Sequence, residues 1–335
     1  MSARRRARWL GAAPIALLAL SALGGCSKTE DIIVQTGLDK QLTPAEIDQD
    51  PRELLPGGVV GIASVDTKVL FASQFGGKIQ GILAQRLPVP PAAGFDPARD
   101  LAHLYLGFYS MQGADMSGVA TGAFDKARIE AAVSGVERTP QGVPIAKRAY
   151  AGRTLFTAGG FGFCMLSDHT ALFGNDTGIR RALDRIHEGR VRPQTPPWID
   201  KLMQAQSAPI VAGADLRAQP LPDAAASNLA FLNGLETLAF VGNFADPGLN
   251  LAGTLTYSDE ASAKQGADNV QSLAQKLGTY APFLALLGIP QPVRQLEAEA
   301  KGKDAAFVLG LDGAAIAALL DKLPDYLGKP LAMNP

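Results

Sequence analysis

The chain has 335 residues, with 31 lysines and arginines against 32 aspartates and glutamates and a formal net charge of −1. That balance leaves no basic surplus to follow a phosphate backbone, which excludes nucleic acid from the expected partners. Hydrophobic residues make up 47% and aromatics only 7%, so alanine, leucine and valine must do most of the packing. The length supports one large domain or two modest ones.

Arg4, Arg5, Arg6 and Arg8 precede an apolar run over 10–23, and the small Gly24 and Gly25 lead to Cys26. This is the order of a secretory signal. The run is shorter than the roughly 20 residues that span a bilayer as a helix. A buried N-terminal helix is the rival reading, and the arginines before the run with Leu-Gly-Gly-Cys after it argue against that. Leu23-Gly24-Gly25-Cys26 resembles the lipobox of bacterial lipoprotein precursors. The resemblance implies a diacylglyceryl thioether on Cys26, cleavage just before it, and acylation of the new amino terminus by a chain such as palmitate. The chemistry needs cysteine because its thiolate is a strong nucleophile. One acyl chain holds a protein marginally, whereas two or three hold it stably. Ser27 stands where the family commonly carries an aspartate for inner-membrane retention. The resemblance therefore implies the periplasmic face of the outer membrane in a Gram-negative cell. Loss of the four arginines leaves the mature chain at −5.

Residues 26–57 read as a lipidated N-terminus and tether, polar at Lys28 to Asp31 and proline-bracketed over 48–56. A folded body then starts near Gly58. Residues 59–65 predict a buried strand, followed by a helix from about Thr67 with Phe75, Ile79, Ile82 and Leu83 as its stripe. Gly76-Gly77 weakens that helix. Residues 88–97 are a proline-rich connection. Residues 101–110 and 116–124 predict paired strands, and Asp125 caps a helix bearing Ile129, Ala132 and Val133. Strands follow over 145–158 and 161–173, with Ser167-Asp168-His169 as a turn. Asp176 or Thr177 opens a helix with Ile179, Leu183 and Ile186 on one face. Residues 188–197 read as a linker, and Trp198, Ile199, Leu202 and Met203 as one side of a short helix. The order then recurs: a strand over 209–216, a short helix over 223–234, and paired strands over 235–244 and 249–257. Asp259 opens a long helix, strands follow over 293–301 and 305–311, and a last helix covers 313–323.

Three local matches at offsets of about 133 to 137 residues support a tandem duplication. One sets 118–124 against 251–257, another 173–176 against 309–312, and the third 183–186 against 320–323. Each half would be β-α-β-β-α-β-β-α. The expected class is α+β, with mainly antiparallel sheets and helices packed on one face. The expected organisation is signal peptide 1–25, lipidated N-terminus and tether 26–57, first half 58–190, linker and short helix 191–206, and second half 207–330. Gly94-Phe95-Asp96-Pro97-Ala98-Arg99-Asp100-Leu101, with Gly122-Ala123-Phe124-Asp125 after two strands, resembles a pattern in uncharacterised bacterial envelope proteins. That resemblance implies an α+β fold and no known activity.

The chemistry is sparse. No Gly-x-Ser-x-Gly elbow, zinc-binding helix, Cys-x-x-Cys pair or phosphate-binding loop occurs. Neither a catalytic residue nor a cofactor or metal site is therefore expected. Gly159-Gly160-Phe161-Gly162 lacks the spacing of a dinucleotide site and reads as a turn or bulge. His103, His169 and His187 are the three histidines, expected as a partly buried strand residue and two surface residues. Asp66 and Asp215, at strand ends, read as helix caps. Lipidation of Cys26 leaves Cys164 without a partner, and its apolar run predicts a buried structural thiol. Tyr280, Phe283, Leu284 and Leu287 lie in a stretch apolar nearly all round. It reads as a core helix between the halves, restarted or kinked at Pro282, or as an apolar contact surface. The expected function is a non-catalytic, membrane-anchored envelope lipoprotein that binds another envelope component. Its rival is a carrier or sensor of an apolar ligand such as a lipid, and an enzyme stands behind both.

Overall fold

A computed structural model describes residues 42–110, 115–191, 202–203, 208–221, 229–286 and 290–327, with the backbone alone at 85–86, 277, 280–286 and 322–327. Cys26 and Leu287 lie outside the described residues, and so do the side chains of Tyr280, Phe283 and Leu284.

In chain order the first elements are α1 (Pro44–Gln49), a 3-10 turn (Pro51–Leu54), β1 (Gly61–Asp66), α2 (Thr67–Ala72), α3 (Gly76–Arg86) and α4 (Pro97–Asp100). Next come β2 (Leu101–Phe108), β3 (Met116–Gly122), α5 (Lys126–Ser134), β4 (Ile145–Tyr150), β5 (Arg153–Ala158), β6 (Phe161–Met165), β7 (Thr170–Asn175) and α6 (Asp176–His187). The rest are β8 (Ile210–Asp215), β9 (Leu235–Asn243), β10 (Gly248–Tyr257), α7 (Glu260–Leu286), β11 (Val293–Lys301), β12 (Asp304–Asp312) and α8 (Gly313–Leu327).

The twelve strands form one sheet in the order β11-β12-β10-β9-β8-β1-β2-β3-β7-β6-β5-β4. The fold is α+β and its strand pairs are antiparallel, as sequence predicts. From the central β1–β8 pair the strands run outward in matching order. β2, β3, β7 and β6 on one side correspond to β9, β10, β12 and β11 on the other. The repeat is therefore visible in topology, with one departure. The first half adds the β4–β5 hairpin at its outer edge, turning at Ala151-Gly152, where both residues have positive φ. Sequence showed 145–158 as a single strand region because both arms are β-prone. The halves share the sheet, and the described residues belong to one unit.

Helices on one face was the expectation, and in the first half the structure corrects it. Here successive residues are apolar on both sides of a strand: Val119 and Ala120, Leu155 and Phe156, Cys164 and Met165. Each face then needs cover. α1, the 3-10 turn and α6 supply it on one side through Ile47, Leu54, Ile179 and Leu183. α5 and the segment after α3 supply it on the other, through Ile129, Val133 and Ala93. In the second half Ala305 is buried and Val308 is 41% exposed on the opposite face. α7 covers the buried face with Ala263, Ala267 and Val270.

Three further differences follow from packing. Residues 42–57, expected within the tether, belong to the core: Ile47, Leu54 and Leu55 are buried. Asp48 ties them down, its Oδ1 accepting from Ser167 Oγ at 2.5 Å and Thr170 Oγ1 at 2.6 Å. The expected helix from Thr67 is two helices, because the chain turns at Ser73 to Phe75. Gly76 then sits so close to the Phe71 carbonyl that a Cβ would overlap it. α7 runs as one span through Pro282, and its buried N-terminal part rests on the second half of the sheet.

Candidate functional site: an apolar cavity in the first half

Period-2 alternation places Leu104, Ala120, Ala171, Met165 and Phe163 on the same face of β2, β3, β7 and β6. Two of these floor residues are alanines, so the floor is low in the middle. α5, which stands over it, has 9 residues where its counterpart α7 has 27. Part of this face is therefore left to the chain that follows α3.

That chain is the proline-rich stretch 88–97, expected only as a connection. It forms a roof. Pro88, Val89 and Phe95 face the floor, joined by Leu83 and Leu87 from the end of α3. Pro90 is extended, with φ −71° and ψ 154°, and the chain then makes a 3-10 turn over Pro91–Ala93. Polar bonds pin it on three sides. Arg128 Nε of α5 donates to the Ala92 carbonyl at 3.2 Å. Arg99 Nη2 donates to the Gly94 carbonyl at 2.6 Å. Gln80 Nε2 of α3 donates to Asp96 Oδ1 at 2.8 Å. Gly94 turns the chain with φ +67°, a conformation that L side chains rarely adopt, and the Arg128 guanidinium packs against it.

Between roof and floor is a cavity of about 220 Å³ with no polar atom in its wall. Phe124 and Ile129 close the α5 side. Phe161, 39% exposed, stands at the rim and packs against Phe173 with ring centroids 6.4 Å apart. The outer end of the Phe173 ring sits against Gly118 of β3, where a Cβ would overlap it. The strand spacing that aligns these groups is legible in sequence. Their enclosure depends on the roof, which has no periodicity to betray it.

The sequence-level site residues lie elsewhere. His103 Nε2 is 3.8 Å from Asp66 Oδ2 and its ring stacks on Tyr105. Asp66 caps α2 as expected, accepting from Val69 N at 3.1 Å. Asp215 accepts from Arg217 N at 3.1 Å, and its carboxyl lies below the usual carboxylate range because the Arg217 guanidinium donates to it. His169 Nδ1 meets the Gly122 carbonyl at 3.1 Å, while Asp168 Oδ1 accepts from Lys126 N at 3.2 Å. The adjacent Asp168 and His169 therefore serve separate backbone groups and do not pair. His187 is an exposed residue of the last turn of α6. Cys164 is fully buried, and burial pushes its thiol up to about 12. Among the described residues there is no cluster of metal-ligating side chains and no helix long and apolar enough to cross a membrane.

No protein-family model matches the chain, and no curated protein sequence matches it. Solved structures of TP0453 are similar to it. Crystal form III matches with a TM-score of 0.51 at 11% identity, covering 82% of this chain and 98% of that one. Crystal form I matches with a TM-score of 0.49 at 10% identity, covering 82% and 97%. At such identity the likeness is one of fold.

Proposed function

We propose that this protein is an envelope lipoprotein, anchored through Cys26, whose folded body carries an apolar ligand in the cavity beneath the 88–97 roof. The cavity is the observation that carries this reading. A wall built only from aliphatic, aromatic and thioether groups binds by excluding water and offers no nucleophile, acid or base to a reaction. Apolar space left open between a sheet and the 88–97 roof forgoes packing contacts that a filled core would have. The apolar-ligand reading thus moves from the helix around Leu284 to β2, β3, β6 and β7. The TP0453 likeness is consistent with the fold this requires.

Two measurements test it. Mass spectrometry of the native protein should find an N-terminus at Cys26 with added acyl mass; a mature membrane-bound chain with a free Cys26 thiol defeats the anchor. Calorimetric titration of the full chain carrying Cys26→Ala with 1-decanol should show saturable 1:1 binding. Ala171→Phe, which projects a ring into the cavity, should abolish it while near-ultraviolet circular dichroism stays native. Undiminished binding by that variant defeats the cavity as the site.

A further inference from the structure

A second cavity, of about 310 Å³, lies at the end of the sheet where β5 begins and β6 ends. Its character is opposite to the first. Lys126 and Glu130 of α5, Arg153 of β5 and His187 of α6 supply its polar wall, and Met165 supplies part of its floor. Met165 also lines the apolar cavity, so the two spaces meet the same thioether side chain. The helix α5 is shared as well. Ile129 faces the apolar side, while Lys126 and Glu130, four residues apart on one helical face, border the polar side.

The polar groups are held in place from different elements. Arg153 Nη1 donates to the Leu166 carbonyl at 2.9 Å, which fixes its guanidinium at the end of β5. Lys126 sits at the first position of α5, with Asp125 as the cap. Asp168 occupies the Lys126 backbone N–H from outside the pocket wall. Lys126, Glu130 and Arg153 line the same cavity from two different elements. Two permanent cations and a histidine therefore face one carboxylate.

We propose that the two cavities form one composite site for a single-chain amphiphile with an anionic head, a fatty acid. Its alkyl chain lies under the 88–97 roof and its carboxylate meets Lys126 and Arg153 past Met165. This rests on the apolar-ligand reading above and adds the class of ligand. Met165 is suited to the boundary: its unbranched thioether changes rotamer at low cost and fills irregular space when the site is empty. Arginine and lysine at the head end supply charge-assisted hydrogen bonds, which are roughly twice as strong as neutral ones.

The test is calorimetry at pH 7.5 on the full chain with Cys26→Ala, using decanoate, 1-decanol and inorganic phosphate below micellar concentrations. Decanoate should bind at least about tenfold more tightly than decanol, and phosphate alone should bind weakly. Lys126→Gln combined with Arg153→Gln should bring decanoate to the decanol level and leave decanol unchanged. Because Arg153 also supports Leu166, Lys126→Glu alone serves if the double variant does not fold. It should weaken decanoate selectively. Equal binding of decanoate and decanol, unmoved by these substitutions, overturns the head-group proposal while the apolar cavity stands. Phosphate binding that needs Lys126 but gains nothing from an alkyl chain also overturns it, as an independent anion pocket. Failure of both alkyl ligands to bind overturns this proposal and the apolar-ligand reading together.

Discussion

Ala171 lies on the cavity floor and is 7% exposed. Replacing it by leucine adds three carbons directed into a space of about 220 Å³. At about 0.8 kcal/mol per buried CH₂, their transfer from water contributes about 2.4 kcal/mol. Fixing the leucine rotamer costs about 0.5–1 kcal/mol. Ala171→Leu should therefore stabilise the protein by about 1.5 kcal/mol. Ala182 gives the contrast. It is fully buried on α6 against the other face of the sheet, within the packed cluster of Leu155, Leu172 and Ile179. There the same change overfills a core and should destabilise by about 1–3 kcal/mol. The two substitutions are chemically identical and differ in sign. Urea unfolding followed by tryptophan fluorescence and far-ultraviolet circular dichroism reads both, as a midpoint shift at unchanged slope. Ala171→Leu should also weaken 1-decanol binding at least about tenfold, since the side chain takes the ligand's space. A fall in the Ala171→Leu midpoint matching that of Ala182→Leu would falsify the claim that this face encloses free volume.

Other consequences are testable in the same preparation. Asp48→Ala removes the acceptor of two hydroxyl bonds that join α1 to the β6–β7 turn, and should cost about 3 kcal/mol in urea unfolding. Asp48→Asn, which keeps an oxygen there, should cost less. Cys164, with its thiol pushed up to about 12 by burial, should resist a disulfide reagent in the native state at pH 8 and react stoichiometrically in guanidinium. Fast native reaction would show that the 161–166 region opens. Asp312 has its carboxyl held below the ordinary value, first by the Ala315 N–H and then by Arg294. A depressed carboxylate contributes stability that is complete above its unfolded pKa and is lost as pH falls through the folded one. Asp312→Asn should therefore lower stability at pH 7 and flatten the decline on the acid side of about pH 4. An acid limb as steep as that of the wild type excludes this role.

The local elements were legible because each depends on near neighbours in the chain. Asp125 and Asp259 accept from backbone N–H groups three residues on, as read, whereas the cap of α6 is Asn175, one residue before the expected Asp176. Alternation marked most strands, and the strand order after each half's first element revealed the repeat. The proposed lipid attachment at Leu23-Gly24-Gly25-Cys26 rests on the sequence alone. What sequence left hidden was everything decided by contact across long separation. Asp48 looked like part of a polar tether until Ser167 and Thr170, over a hundred residues away, made it a partly buried acceptor. Apolar residues on both sides of β3, β5 and β6 fit either a buried sheet or a sandwich, and only the placement of α5 and α6 shows both faces covered. The cavity is the extreme case. It exists because Ala120 and Ala171 leave a shallow floor, α5 stops after 9 residues, and an aperiodic proline segment is pinned overhead by Arg128, Arg99 and Gln80. Periodicity reports which side of an element is apolar. Whether two apolar sides meet or stand apart is a matter of distance, and distance is set only when the whole chain has folded.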